Sequence, residues 1–138
     1  MFLTVNMRDK RPIYKQIAGG IKDMILSGEL KLDEQIPSVR QLATDMNINP
    51  NTIAKAYAEL ERAGVVYSAM GRGYFVSPDL TGARAEEREE IKRVLLRCVK
   101  NAERCGVEKA CITEMALSAI EEAYKEKNER NGENDKNR

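Results

Sequence analysis

Two capped helix starts stand close together in "IPSVRQLATDMNINPNTIAKAY", residues 36–57. At the first, Ser38 follows Ile36-Pro37, and Gln41 stands three places further on. That is a capping box: the serine oxygen accepts from the backbone N–H at Gln41, and the glutamine side chain reaches back to Ser38. At the second, Asn49 is a natural N-cap and Pro50 a natural first helical residue, because proline lacks the N–H that would be unpaired there. Only about two turns of helix, Val39–Met46, fit between the two starts, and Asn47-Ile48 is left for a tight turn. A chain built this way must fold two short helices at an angle to each other.

The surrounding periodicity extends the pattern. Ile13, Ile17, Ile21, Met24 and Ile25 recur at helical steps behind Pro12, and Gly28 stands where a left-handed cap closes a helix. Gly19 and Gly20 interrupt that helix at a cost of about 1 kcal/mol each relative to alanine. Residues 29–37 read as a connector, and Phe2 to Val5 as a short edge strand. In the helix after Pro50, Ile53, Ala56, Tyr57 and Leu60 share one stripe, while Asn51, Lys55, Ala58 and Arg62 project on the opposite side. Beyond Ala63-Gly64 the period becomes alternating. Val65–Ser68 and Tyr74–Val76 read as strands joined by Met70-Gly71-Arg72-Gly73, with Pro78 as the stop. Helix, short helix, turn, helix and hairpin in that order is the winged helix-turn-helix arrangement, whose third helix can lie in a DNA major groove.

From Leu80 onward the chain is almost wholly helical. Ile91, Val94, Leu95, Cys98, Val99, Ala102 and Cys105 form one apolar stripe. Ile112, Met115, Ala116, Ala119, Ile120 and Ala123 form another, with Gly106 between them. The expected fold is therefore mostly α: a winged helix-turn-helix domain over 1–79, an α-helical hairpin over 80–126, and a polar, frayed tail over 127–138.

Composition excludes several function classes. The 138 residues contain no histidine, which removes the commonest general base and metal ligand. Cys98, Cys105 and Cys111 form no CxxC pair, so neither a metal site nor a disulfide framework is expected; they read as small buried side chains in a reducing compartment, and their spacing does not demand a redox role. No cofactor motif and no paired nucleophile and base are present, so an enzyme is not expected. No segment has the roughly 18 consecutive apolar residues of a membrane span, and the N-terminus lacks a signal-peptide pattern, so a cytoplasmic protein is expected. The net charge is only +1, so any nucleic-acid surface must be a local patch.

The residues carry a more specific likeness. "PSVRQLA", "NPNTIAKAYAELERAG" and "GRGYFV", within roughly residues 10–78, resemble the DNA-binding domain of the GntR family of bacterial transcription regulators. The short two-helix tail looks like the YtrA-like branch. The resemblance implies a regulator, most often a repressor, of a nearby operon such as one for an ABC transporter. It also implies that Arg40 contacts DNA. The chain departs from the family pattern at Leu32-Asp33, where a Pro-Gly pair is usual, and at Gly19-Gly20.

The expected DNA-facing set is Ser38, Arg40, Asn49, Asn51, Thr52, Lys55, Gly71, Arg72 and Gly73. A helix N-terminus at Ser38 favours phosphate, and Arg40 adds a multi-donor cation. Asparagine can pair bidentately with adenine, threonine can bond phosphate or touch a thymine methyl, and lysine can reach guanine or phosphate. Ala54 and Ala58 keep the outer face low. Arg72, between glycines free to adopt positive φ, suits a phosphate or minor-groove contact. Tyr57 and Tyr74 read as packing residues. The tail stripes, with Ile91, Val94, Leu95, Cys98, Val99, Ile112, Met115, Ala116 and Ile120 at their centre, are expected to pair two copies over a pseudo-palindromic operator of double-stranded DNA. Such a bundle also has room for a small apolar effector, which the sequence does not identify. The competing reading is a winged-helix module that docks a protein instead of DNA; the helix over 51–62, whose exposed side has no apolar stripe, argues against it.

Overall fold

The computed structural model of the chain describes Met1 and residues 3–136. The elements follow in the order α1 (Ile13–Leu26), β1 (Gln35–Ile36), α2 (Val39–Met46), α3 (Pro50–Arg62), β2 (Val66–Ala69), β3 (Gly73–Val76), α4 (Thr81–Arg104) and α5 (Lys109–Lys136). The chain divides into two compact units, Met1–Arg88 and Glu89–Arg138.

In the first unit, α1 lies on α3, and Ile17, Ile21 and Ile25 meet Ile53, Ala56, Tyr57 and Leu60 in one buried cluster. These are the two stripes expected from periodicity, and removing them from water is the main stabilising term. Leu42 and Ala43 of α2, Ile36 of β1, and Val66 and Val76 of the hairpin complete the core. The sheet order is β1-β3-β2, antiparallel throughout, with Val66 opposite Val76 and Ala69 opposite Gly73. Strand β1 was not foreseen within the connector. It is two residues long, too short to show alternation, and exists because Gln35 and Ile36 pair with Phe75 and Tyr74. Leu80 and Ala83 are buried in the same cluster, and Arg84 donates to the Leu26 carbonyl at 2.8 Å, so the first turns of α4 belong to this unit.

Two local features differ from the sequence reading. Residues 3–5 form no strand, and Phe2 lies outside the described residues. Instead the buried Gln16 amide binds the N-terminal segment. Its oxygen accepts from the Asn6 N–H at 2.9 Å, and its nitrogen donates to the Asn6 and Arg11 carbonyls at 3.1 Å each. Leu3 then packs on α1 so closely that a Cβ at Gly20 would lie 2.8 Å from its Cδ2, which accounts for Gly20; no atom comes near Gly19 in this way. Pro12 stands just before α1, at its N-cap. Asp33, where the resemblance implies glycine, takes φ 60°, a region that aspartate tolerates better than most side chains.

Tyr57 shows how the core carries a polar group. Its ring is fully buried and meets Tyr74 edge-on at 4.9 Å, while its hydroxyl donates to the Pro37 carbonyl at 2.6 Å. Burial, and then the neighbouring Tyr74, push this phenol well above its usual value, so it stays a donor throughout the neutral range. Replacement Tyr57→Phe is expected to lower unfolding free energy by about 1–2 kcal/mol, because it leaves the Pro37 carbonyl without its partner. Urea denaturation checks this; an unchanged midpoint would show that water replaces the hydroxyl freely.

In the second unit, Gly106 (φ 78°) ends α4, with the Val107 N–H on the Ala102 carbonyl at 3.0 Å, and α5 begins at Lys109. No residue of α5 is buried, and Ala83, in the first unit, is the one buried residue of α4. Ile91, Val94, Leu95, Val99, Met115 and Ile120 are between 43% and 60% exposed. The stripes therefore lie on the helices as expected, and among the described residues most of their side chains stay open, with Ala102 and Ile112 half-buried. For the same reason Cys98, Cys105 and Cys111 are exposed free thiols, not the buried side chains the sequence suggested. The segment from Lys127, expected to fray, continues α5 as helix to Lys136, since adding residues to an existing helix costs far less than starting one.

Candidate nucleic-acid interface

The start of α2 is closed by the capping box. Ser38 Oγ accepts from the Gln41 N–H at 3.1 Å, and Gln41 Oε1 accepts from the Ser38 N–H at 3.0 Å. Both of Ser38's cap groups are thus engaged, leaving its hydroxyl proton free to donate outward. Arg40, two residues further on, is exposed. Asn47 ends α2 in the left-handed conformation (φ 53°, ψ 47°), with its N–H on Thr44 and that of Ile48 on Ala43. This is a Schellman closure with asparagine in place of the usual glycine. It sets the sharp turn into α3.

Asn49 caps α3 by accepting from the Asn51 N–H at 2.8 Å. Asn51 therefore has its backbone satisfied and its side chain exposed, together with Ala54, Lys55, Ala58 and Arg62 on the outer face. That face has no apolar side chain larger than alanine. Thr52 is not part of it. One residue turns the helix by about 100°, so Thr52 is half-buried in a groove with Leu3, Val5, Ile13, Met46 and Ile48. The structure thus groups Asn51 with Lys55, and sets Thr52 beside Asn49 and the N-terminal segment.

The wing is held by contacts that no local pattern reveals. Gly71 (φ 71°) and Gly73 (φ 107°) make the hairpin turn, and the Arg72 N–H donates to Ala69 at 2.9 Å. Gln35 of β1 donates from Nε2 to the Arg72 carbonyl at 2.8 Å, and a Cβ at Gly73 would lie 3.0 Å from that nitrogen. Glu61 of α3 accepts from the Ser68 hydroxyl at 2.6 Å and from its N–H at 3.2 Å. The wing is thereby tied at its tip to β1 and, through Ser68 of β2, to α3. Tyr67 stacks on Phe75 at 5.6 Å and donates to Asp33 Oδ1 at 3.1 Å.

The electrostatics leave several cations open. Among the described residues, Arg40, Lys55, Arg62 and Arg72 form no ion pair, whereas Lys15 lies 4.0 Å from Glu59 and Lys22 is paired with Glu87. Lys55 Nζ lies 4.1 Å from the centre of the Tyr14 ring. Tyr14, Gln35 and Glu61 were absent from the sequence expectation, because each acts on a different element, Glu61 on the next one and Tyr14 and Gln35 on distant ones.

Comparison with known proteins agrees with this geometry. Residues 13–76 match the bacterial regulatory proteins of the gntR family. The HTH-type transcriptional repressor YtrA of Bacillus subtilis is 38% identical over 107 residues, covering 77% of this chain and 82% of that protein. A GntR family transcriptional regulator from Listeria monocytogenes superposes with TM-score 0.71 at 31% identity, covering 81% of this chain and 98% of the other. YtrA from Sulfolobus acidocaldarius, a GntR-family transcription factor, superposes with TM-score 0.57 at 36% identity, covering 68% and 97%. The first two likenesses extend well past the winged domain into the helical tail. The chain thus belongs to the gntR family of bacterial regulatory proteins, in its YtrA-like branch, and is a DNA-binding transcription regulator rather than an enzyme.

Proposed function

We propose that the chain is a homodimeric repressor that reads two half-sites of a pseudo-palindromic operator, one α3 in each major groove. The observation that carries this reading is the outer face of α3, exposed, low and polar from Asn51 to Arg62. Asn51 reads a base edge. The N-terminus of α2 with Ser38 and Arg40 takes a phosphate, and the wing with Gly71, Arg72 and Gly73 reaches phosphate or the neighbouring minor groove. Asn49 shapes the helix start that brings these groups to the groove. The dimer forms through the open stripes of α4 and α5, and half-sites lie about one DNA turn (~34 Å) or a multiple apart.

Selection of bound duplexes from a random pool tests the reading. It is expected to return a two-fold symmetric consensus. Binding should weaken steeply with salt: two contacts per protomer, at Arg40 and Arg72, already give a slope of log K against log[salt] of roughly −4. A flat salt response with no enriched sequence would mean that the outer face docks a protein instead. Repeating the selection with candidate metabolites present would reveal an effector as a change in yield.

A further inference from the structure

We infer that Tyr14 is a positioning residue for DNA binding. Its ring holds the Lys55 ammonium at the α1 edge of the outer face, so that Lys55 meets a backbone phosphate and base reading is left to Asn51. The inference rests on the reading of that face as the DNA face.

The geometry begins in α1. Tyr14 is half-buried and packs against the core cluster, so its ring is fixed from beneath. Lys55 Nζ stands 4.1 Å from the ring centre, well inside the roughly 6 Å over which an aromatic face attracts a cation. Lys15 Nζ is 5.9 Å from the same ring and pairs with Glu59 at 4.0 Å. Glu59 therefore serves Lys15, and the Lys55 charge is left without a carboxylate among the described residues. Four residues along α3 turn the helix by about 400°, so Lys55 sits some 40° round from Asn51, on the side facing Tyr14. A free lysine is a point charge on a flexible four-carbon stem; resting on the ring removes part of that freedom before DNA arrives. A compact ammonium held at the rim of a reading face suits a phosphate oxygen. Bidentate base reading asks instead for a planar pair of polar groups, which Asn51 has and Lys55 lacks.

The test uses the full chain on its selected operator, with affinity measured by anisotropy at several salt concentrations. Lys55→Met is expected to weaken all sequences alike and to make the salt slope shallower by about one per protomer. Tyr14→Phe should bind as the parent does. Tyr14→Leu should weaken binding about two- to five-fold. In the Lys55→Met background, Tyr14→Leu should have no further effect, a comparison that holds even where the leucine lowers stability. Three results would overturn the proposal: a Tyr14→Leu loss that persists without Lys55, a Tyr14→Phe loss as large as that of leucine, or a Lys55→Met change in preference at one base. If Lys55→Met and Asn51→Ala both bind normally, the DNA face itself is wrongly placed, and that failure is distinct from failure of the ring.

Discussion

Asn51→Ala is expected to lower operator affinity by about 1–3 kcal/mol for each half-site, the span measured for a good bidentate base contact. In a dimer that engages both half-sites the loss enters twice, on the order of 30-fold or more overall. Preference should relax at one position in each half-site and nowhere else. Thermal unfolding should stay within about 0.5 kcal/mol of the parent, the usual range for an exposed position with no structural task. The reason lies in the division of labour at the start of α3. Asn49 accepts from the Asn51 N–H, so the Asn51 side chain takes no part in capping. Asn49→Ala should behave in the opposite sense and destabilise the fold by roughly 1 kcal/mol through loss of the cap. Asn47→Ala should also destabilise, since alanine is poorly suited to φ 53°. Three neighbouring asparagines thus separate in two measurements, melting and binding. Parent-like affinity and an unchanged consensus for Asn51→Ala would remove it from the reading face.

The parts of this molecule that sequence revealed are those decided within a few residues. The capping box at Ser38, the Asn49-Pro50 start and the glycine turn at Gly71 and Gly73 are local events, and each stands where its residues imply. The stripes of α1 and α3 were equally legible, because helical period reports burial directly. What escaped notice depends on elements meeting across the chain. Strand β1 is two residues that pair with β3 only after the wing has returned. Gly20 needs Leu3 to explain it, and Lys55 needs Tyr14. The hydrogen bond at the wing tip comes from Gln35, 37 residues before the turn it reaches. Thr52 shows the same limit at shorter range. It adjoins Asn51 in sequence, but one helical step carries it off the outer face into a groove it shares with Leu3, Ile13, Asp45, Asn47 and Asn49.

Leu95→Asp and Ile120→Asp are each expected to convert the proposed dimer to monomer and to abolish tight operator binding while leaving the winged unit folded. Along α4, Ile91, Val94, Leu95 and Val99 are about half exposed, with no full cover among the described residues. Burying a leucine or isoleucine contributes about 1.5–3 kcal/mol, so a stripe of this length offers a strong incentive to associate. On α5 the apolar arc is broader. Leu117 and Tyr124 are 60% and 62% exposed and lie beside the stripe of Met115 and Ile120, not within it. A helix with two adjacent stripes needs two neighbours. One α4 cannot supply both; in the proposed dimer the α4 and α5 of a second copy supply them, and Leu95 and Ile120 are the residues we place in that contact. A carboxylate there would have to be buried without a partner, which is far costlier than the contact it replaces. Separating the protomers removes the gain in effective concentration from linked half-sites, about 100- to 10,000-fold in apparent affinity, and should leave half-site binding as it was. Sedimentation at micromolar concentration and titration of whole and half operators measure both effects. If either variant remains dimeric with parent-like operator affinity, the stripes serve some purpose other than joining two copies.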